Sequence, residues 1–381
     1  MENHENHTAQ RIIIIGGGIL GASFAYHAHK HGVRDITVLA AALPQDPRQA
    51  TSNTWGWVNG YADDDRDYAS FRLASLSYWP DLIADIDAIR ETSKGAFFWD
   101  MDDAAIRRSV AQHQEWGHDV VLASAADTAK KLPKLKVHPD TAGYGSNDLA
   151  IEGHIAARAL LEASGASVKS CEVHQLLRDG GHITGVETDQ GVIDGLIDGA
   201  TVIVTAGLGT PALLSGIDVD FAMRSTLGLL AYTRPLPPLL DHPITGLGFH
   251  ARQDDQGRLV VGGGFGDDAE DDPDAACSAG KLIQDMAGRL HYDGVMELDH
   301  YTLGRRPLTM DGRPKIGRVC DRNGVRFNNL YMAVMHSGIT NAPLAGKLGI
   351  AEVMTGKRDP LLEPFPPLAG PDHPGDHPGG T

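Results

Sequence analysis

The stretch Arg11-Ile-Ile-Ile-Ile-Gly16-Gly-Gly18-Ile-Leu-Gly21 decides how the chain is read. Its isoleucine run has no polar alternation, the mark of a strand buried on both faces. Gly16-x-Gly18-x-x-Gly21 follows at once, and Ala22 to His31 reads as a helix ended by Gly32. A second strand is expected from Asp35 to Leu39, so residues 11–39 make a complete β-α-β unit. In that context the three glycines are a dinucleotide fingerprint. They permit the tight turn, let the backbone approach a pyrophosphate and let helix pack close on strand, while the helix N-terminus offers partial positive charge. The fingerprint also calls for an acid about 20 positions on, to grip the ribose hydroxyls. The residue just past Leu39 is Ala40; Ala41 and Ala42 follow, and Asp46 lies well into the loop. Either another group holds the ribose or the nucleotide is held less tightly there.

Working outward, Thr51 to Tyr61 is loop-like, with Trp55 and Trp57 among small residues. Tyr68 to Ile89 carries apolar residues at helical spacing, interrupted by Pro80, and a helix is expected around Val110 to Ser124. A second α/β stretch holds a helix from Ile155 to Ala163, strands near Val168–Cys171 and Ile183–Glu187, and a buried strand Thr201–Thr205. Leu227–Tyr232 and Phe249–Gly262 read as antiparallel, and Pro273–Leu290 as a helix. Leu330–Val334 is a last buried strand and Asn341–Met354 a last helix. The alternation predicts an α/β chain, α+β overall, of two domains interleaved in sequence. A Rossmann-like domain takes 1–60, 145–215 and 325–360; a mixed or antiparallel-sheet substrate domain takes 61–144 and 216–324. The Pro/Gly/His tail, 361–381, is expected to be ordered only at its start.

Composition narrows the function. A net charge of −17 over 381 residues argues against a nucleic-acid or anionic-membrane partner, because phosphate contacts need a basic face. No apolar run approaches the ~18 residues of a membrane span, and Met1 to Gln10 lacks a basic-then-apolar leader pattern. Cys171, Cys277 and Cys320 are widely spaced, so neither a disulfide framework nor a zinc site is suggested and a cytoplasmic location is expected. The acidic runs Asp63–Asp65 and Asp267–Asp272 lack EF-hand spacing and read as solvated loops; no metal is expected.

Several segments, in order, resemble the FAD-dependent D-amino-acid oxidase, glycine oxidase and sarcosine oxidase superfamily. They are Ile12 to Ser23; Thr51-Ser-Asn with its Gly56 loop; Gly153-His-Ile-Ala-Ala-Arg-Ala-Leu-Leu161; and Val202-Ile-Val-Thr-Ala-Gly207. Gly304-Arg-Arg-Pro307 with Asp311-Gly-x-Pro-x-Ile-Gly317, and Tyr331-Met-Ala-Val-Met-His-Ser-Gly-Ile-Thr340, complete the set. The resemblance implies FAD contacts at Gly16, Gly18, Ile19, Gly21, Thr51, Ser52, Val173, Ala206, Gly207, Gly338, Ile339 and Thr340. It also implies non-covalent FAD, since the position where some members tether the flavin through cysteine holds arginine here.

The implied reaction is oxidation of the C–N bond of a small amine or amino acid, by hydride transfer to the flavin, giving an imine. O2 or a quinone or protein acceptor would reoxidise the flavin. Two alternatives stand beside it: oxidation of a hydroxy acid or polyol C–O bond on the same scaffold, and a protein with weakened FAD binding that serves in binding or assembly, for which Ala40 speaks. Arg306 matches the arginine that binds substrate carboxylate, a task suited to its planar fork; the other reading is an interdomain arginine. His336 lies in the turn beside the flavin, as a hydrogen-bonding or titrating group or as a residue bonded into the turn. Trp55, Trp57 and Asn59 in the loop and His250 on a strand are candidate pocket residues, with core packing the alternative for the tryptophans.

Overall fold

Ile12 and Ile14 bury one face of the first strand, and Ile13 and Ile15 the other, all at most 3% exposed. An uninterrupted apolar strand of this kind belongs in the middle of a sheet covered on both sides, and that is where Arg11–Ile15 lies. In the computed structural model, which describes residues 10–62, 64–194, 197, 199–263 and 274–368, it is flanked by parallel strands Asp35–Ala40 and Ala200–Val204. Ser167–Ser170 extends the sheet beyond Asp35–Ala40 and Arg326–Val334 beyond Ala200–Val204, both parallel; Lys315–Cys320 closes that edge antiparallel. The acidic run Asp267–Asp272, Pro273, Asp63, the first nine residues and the tail beyond 368 lie outside the described residues.

Helix Ile19–Lys30 runs between helices Gly153–Ser164 and Gly338–Thr355 on one face of this sheet. Gly346 lets the last helix approach so closely that a Cβ there would stand 2.3 Å from Ser23 Oγ. The other face packs on the small sheet Val173–Asp179, His182–Thr188 and Gly191–Ile193, whose hairpin turns at Gly180. A nine-stranded mixed sheet forms the second body. Its order runs Leu298–Thr309, Met223–Thr233, Leu259–Gly263, Phe249–Gln253, Ile244–Gly246, Glu91–Trp99, Thr141–Ile151 and Trp57–Val58, with Val120–Ser124 also on Thr141–Ile151. The chain is therefore mixed α/β, and its two large sheets draw their strands alternately along the sequence.

Three local expectations are corrected. The helix expected at 110–124 is Asp103–Glu115, N-capped by Asp102 and stopped before Gly117 (φ +91), and Val120–Ser124 is a strand. Pro80 does not interrupt Arg66–Asp85: Phe71, Ser75, Leu76, Trp79 and Leu82 bury one face of a continuous helix, and that packing overrides the lost hydrogen bond. The domain limits shift as well. Trp57–Val58 and Thr141–Ile151 pair in the nine-stranded sheet, Lys315–Cys320 is the hairpin partner of Arg326–Val334, and helix Arg66–Asp85 packs on the last helix.

Candidate active site

The turn after the first strand is shaped by contacts no side chain could share. Gly16 has φ +116 and donates its N–H to Leu39 O at 2.8 Å; a Cβ there would stand 2.4 Å from the Thr205 carbonyl oxygen. A Cβ on Gly21 would lie 1.9 Å from Gly16 O, so glycine alone lets the first helical turn fold back over the loop. Thr205 seals the turn from the next strand, its hydroxyl 3.1 Å from Ile15 O and 3.3 Å from Gly16 O. Thr51, in the one-turn helix Ala50–Asn53, accepts the Ile19 N–H at 3.1 Å. The first turn of the Ile19 helix holds no acid, and the helix opens directly from Gly18 at its N-terminus. This cradle fits the pyrophosphate of a dinucleotide.

Ala206 and Gly207 (φ +55) follow Thr205 into a one-turn helix. Cys171 N–H bonds Ala40 O at 3.2 Å, and Val173 opens the next strand two residues further on. Ser52 instead accepts the Gln45 N–H at 3.0 Å and serves its own loop. Next to the start of the Ile19 helix, Gly338, Ile339 and Thr340 open the last helix, entered through Ser337 at φ +56; a Cβ on Gly338 would lie 3.6 Å from Ile19 Cγ2. Ser75 Oγ (2.7 Å) and Trp79 Nε1 (3.2 Å) donate to Thr340 O, and Ser23 Oγ donates to Ala342 O at 2.7 Å. These bonds fix the helix start, whose first N–H groups lack intrahelical acceptors and present partial positive charge.

Arg306 stands on Leu298–Thr309, two residues from Gly304. Gly304 faces the cofactor side, since a Cβ there would be 2.7 Å from Asn53 Cβ, and alternation puts Arg306 on the same face. The guanidinium crosses the neighbouring strand at Gly228, where a Cβ would lie 2.8 Å from Nη2. His250 lies across Gly262 in the same way, its ring 4.6 Å from Trp55. Burial and then the Arg306 charge push His250 down to about 3, so it is neutral at physiological pH. His336 is held at about 4 by burial, then by Arg72 and Arg306. It therefore does not titrate near neutrality, and its Nδ1 is 3.1 Å from Ser337 Oγ. Trp55 and Trp57 meet edge to face at 5.5 Å, Trp55 buried and Trp57 half-buried.

Asn59 is committed elsewhere. Its Oδ1 accepts from Arg72 Nη2 at 2.5 Å and from Tyr61 N–H at 3.1 Å, and its own N–H reaches Thr340 Oγ1 at 3.4 Å. It braces the loop against the last helix. Arg252 likewise binds Trp55 O at 2.6 Å and Glu152 Oε1 at 2.5 Å, which anchors the tryptophan loop. Asp65 caps helix Arg66–Asp85 and pairs with Arg313 at 2.7 Å.

Sequence reasoning missed four residues here. Arg72 sits on the buried stripe with Ser75, Leu76 and Trp79, and a charge on such a stripe was the available signal. Among the described residues no carboxylate lies within ion-pair distance of it. Asp148, fully buried, accepts from Trp57 Nε1 (3.1 Å) and pairs with His118 Nε2 (3.0 Å); burial raises its carboxyl above the usual range. Tyr61 lies between Trp57 (5.6 Å, tilted) and His118 (4.6 Å, edge to face). Nothing local in Ser146-Asn-Asp148 announces that role. A cleft of about 500 Å³ lined by Trp99, Met101, Leu247, Phe249 and Arg289 shares no residue with this site.

A glycine-lined cradle at one end of a parallel sheet, an arginine and a neutral histidine on a second sheet, and another neutral histidine in the turn before the last helix define a two-body flavoprotein oxidoreductase. The chain belongs to the family of FAD dependent oxidoreductases (DAO), whose pattern it matches over residues 11–351. It is 30% identical over 393 residues to the uncharacterized oxidoreductase YurR of Bacillus subtilis, covering 93% of this chain and 98% of that one. Its fold is similar to that of glycine oxidase from Geobacillus kaustophilus (TM-score 0.79, 20% identity, 94% and 98% of the two chains). It is also similar to iminodiacetate oxidase from Chelativorans sp. BNC1 (TM-score 0.76, 23% identity, 94% and 99%). Like other members of the family it is an FAD flavoprotein. Among the described residues no helix is long and apolar enough to cross a membrane.

Proposed function

We propose that this flavoprotein oxidises the C–N bond of a small amine or amino acid that carries a carboxylate. The observation that supports it is Arg306, set on the sheet face that looks toward the cofactor cradle, next to two histidines that are neutral at physiological pH. FAD, when bound, supplies the ring that accepts the hydride leaving the substrate carbon. Gly16, Gly18, Ile19, Gly21 and Thr51 would hold its pyrophosphate, and Gly338 to Thr340 would face the flavin's pyrimidine edge. It is held without a covalent bond, so acid denaturation releases all the flavin into solution.

The chain's own residues account for the rest. Arg306 offers a planar fork to the carboxylate and fixes which C–H faces the cofactor. His336 and His250, uncharged, add hydrogen-bonding capacity without a competing cation. Two arginine charges near the site, Arg72 and Arg306, disfavour an ammonium and lower the amine's pKa, which helps the substrate react as the free amine. Trp55 and Trp57 supply apolar wall, with Trp57 fixed by the Asp148 carboxylate.

The similar structures that bear the names glycine oxidase and iminodiacetate oxidase support a carboxylate-bearing amine as the substrate class. Product analysis tests it. Purified protein incubated with glycine, N-substituted glycines and the corresponding hydroxy acid should release an oxo acid and an amine or ammonia from the nitrogen compounds. Oxo acid from the hydroxy acid alone would transfer the function to C–O oxidation.

A further inference from the structure

The strand end where the fingerprint calls for an acid carries only the methyl groups of Ala40, Ala41 and Ala42, yet a polar side chain reaches that place from another segment. Gln49 precedes the one-turn helix Ala50–Asn53. Its backbone is tied in on both sides: its N–H donates to Asp46 O at 3.0 Å, and its carbonyl accepts from Ser52 N–H (3.1 Å) and Asn53 Nδ2 (2.9 Å). Its carboxamide lies beside Gly17, between the first two glycines of the fingerprint. A Cβ built on Gly17 would meet Ala40 Cβ at 2.8 Å, Ala42 O at 3.1 Å and Gln49 Nε2 at 3.7 Å. Nε2 donates to the Ala42 carbonyl, which fixes which end of the amide is oxygen. Oε1 is buried and has no hydrogen-bond donor among the described residues. A buried acceptor left without a donor is destabilising, and native proteins seldom keep one without a use.

We propose that Gln49 takes the place of the missing acid and accepts a hydrogen bond from an adenosine ribose hydroxyl of FAD through Oε1. The same short segment then touches the dinucleotide cradle twice, Thr51 at the helix N-terminus and Gln49 at the strand end. A neutral acceptor serves because a ribose hydroxyl needs a lone pair and no charge. The inference rests on the FAD site described above.

The experiment measures the dissociation constants of FAD and FMN for apoprotein by flavin fluorescence. FMN lacks the adenosine ribose and reports the flavin end alone. Gln49→Leu should weaken FAD about tenfold, the scale of one lost hydrogen bond to a buried acceptor, and leave FMN unchanged. Ala40→Glu should bring no gain in wild type, because its side chain enters the space that Gln49 fills, and should restore FAD binding in the Gln49→Leu background. An unchanged FAD-to-FMN ratio in Gln49→Leu overturns the proposal, as does equal weakening of both flavins, which would make Gln49 a shaper of the loop. Tighter FAD in Ala40→Glu alone also overturns it. Wild-type protein that binds neither flavin would instead contradict the cofactor site itself.

Discussion

Arg306 and His336 come from opposite bodies of the molecule, and the neutral state of the histidine separates their tasks. With His336 held at about 4 by burial and two arginines, charge recognition of a carboxylate falls to Arg306. Arg306→Ala should cost roughly 2–4 kcal/mol in kcat/KM for carboxylate-bearing amines, the scale of truncating one partner of a buried charged pair. A neutral amine of similar shape should lose much less, and Arg306→Lys should recover only part, since an ammonium cannot reproduce the fork. Steady-state kinetics on both substrate types decide it; equal loss on both would make Arg306 structural. At this scale the sequence was half legible. Arg306 and the fingerprint glycines stand in recognisable patterns. Asn59 looked like a pocket residue and is a brace held by Arg72, because what it bonds lies on a helix 13 residues away. Gln49 was invisible because its carboxamide reaches a strand end through a loop, with no periodicity to reveal it.

Element by element, strands buried on both faces and helices closed by glycine were the easiest to read, because local composition and tertiary burial agree there. Arg11–Ile15, Ala200–Val204 and the helix ending at Gly165 are of this kind. Val120–Ser124 was misread since its two exposed apolar residues, Val121 and Leu122, continue the apolar count of the preceding helix. The helix from Ile19 to Lys30 gives the sharpest element-level prediction. Gly21→Ala places a methyl 1.9 Å from Gly16 O, and overpacking of that kind should cost about 3 kcal/mol or more and abolish FAD retention. Gly32→Ala, at φ +91 in open space, should cost only about 1–2 kcal/mol of backbone strain and keep its FAD. Thermal melts and flavin content of the two variants check this. Similar behaviour in both would mean that the close approach at Gly21 is not what shapes the cradle.

For the whole molecule, buried neutral histidines set the acid limit. His27 and His250 are pushed down to about 3 and His336 to about 4, chiefly by burial. Unfolding lets each return to about 6.5, so below that pH the unfolded chain binds more protons and stability falls as pH falls. Each contributes roughly 1.4 kcal/mol per pH unit between about 6.5 and its folded value. Urea midpoints should therefore drop from pH 6.5 to 5, before ordinary carboxylates titrate, and His27→Gln should flatten the slope by about one proton. A constant midpoint across that window would contradict the burial of these rings. The overall charge of −17 gives an anionic substrate no long-range attraction, which leaves recognition to the local field of Arg306 and Arg72.

The central claim joins an FAD cradle to a carboxylate clamp for an amine, and one titration tests both. Purified protein, made anaerobic, is titrated with matched pairs of amino acids and hydroxy acids while flavin absorbance is followed. The account predicts yellow protein bleached by carboxylate-bearing amines and unaffected by hydroxy acids of the same shape. Bleaching by the hydroxy acids alone, or colourless protein that takes up no FAD, would contradict it.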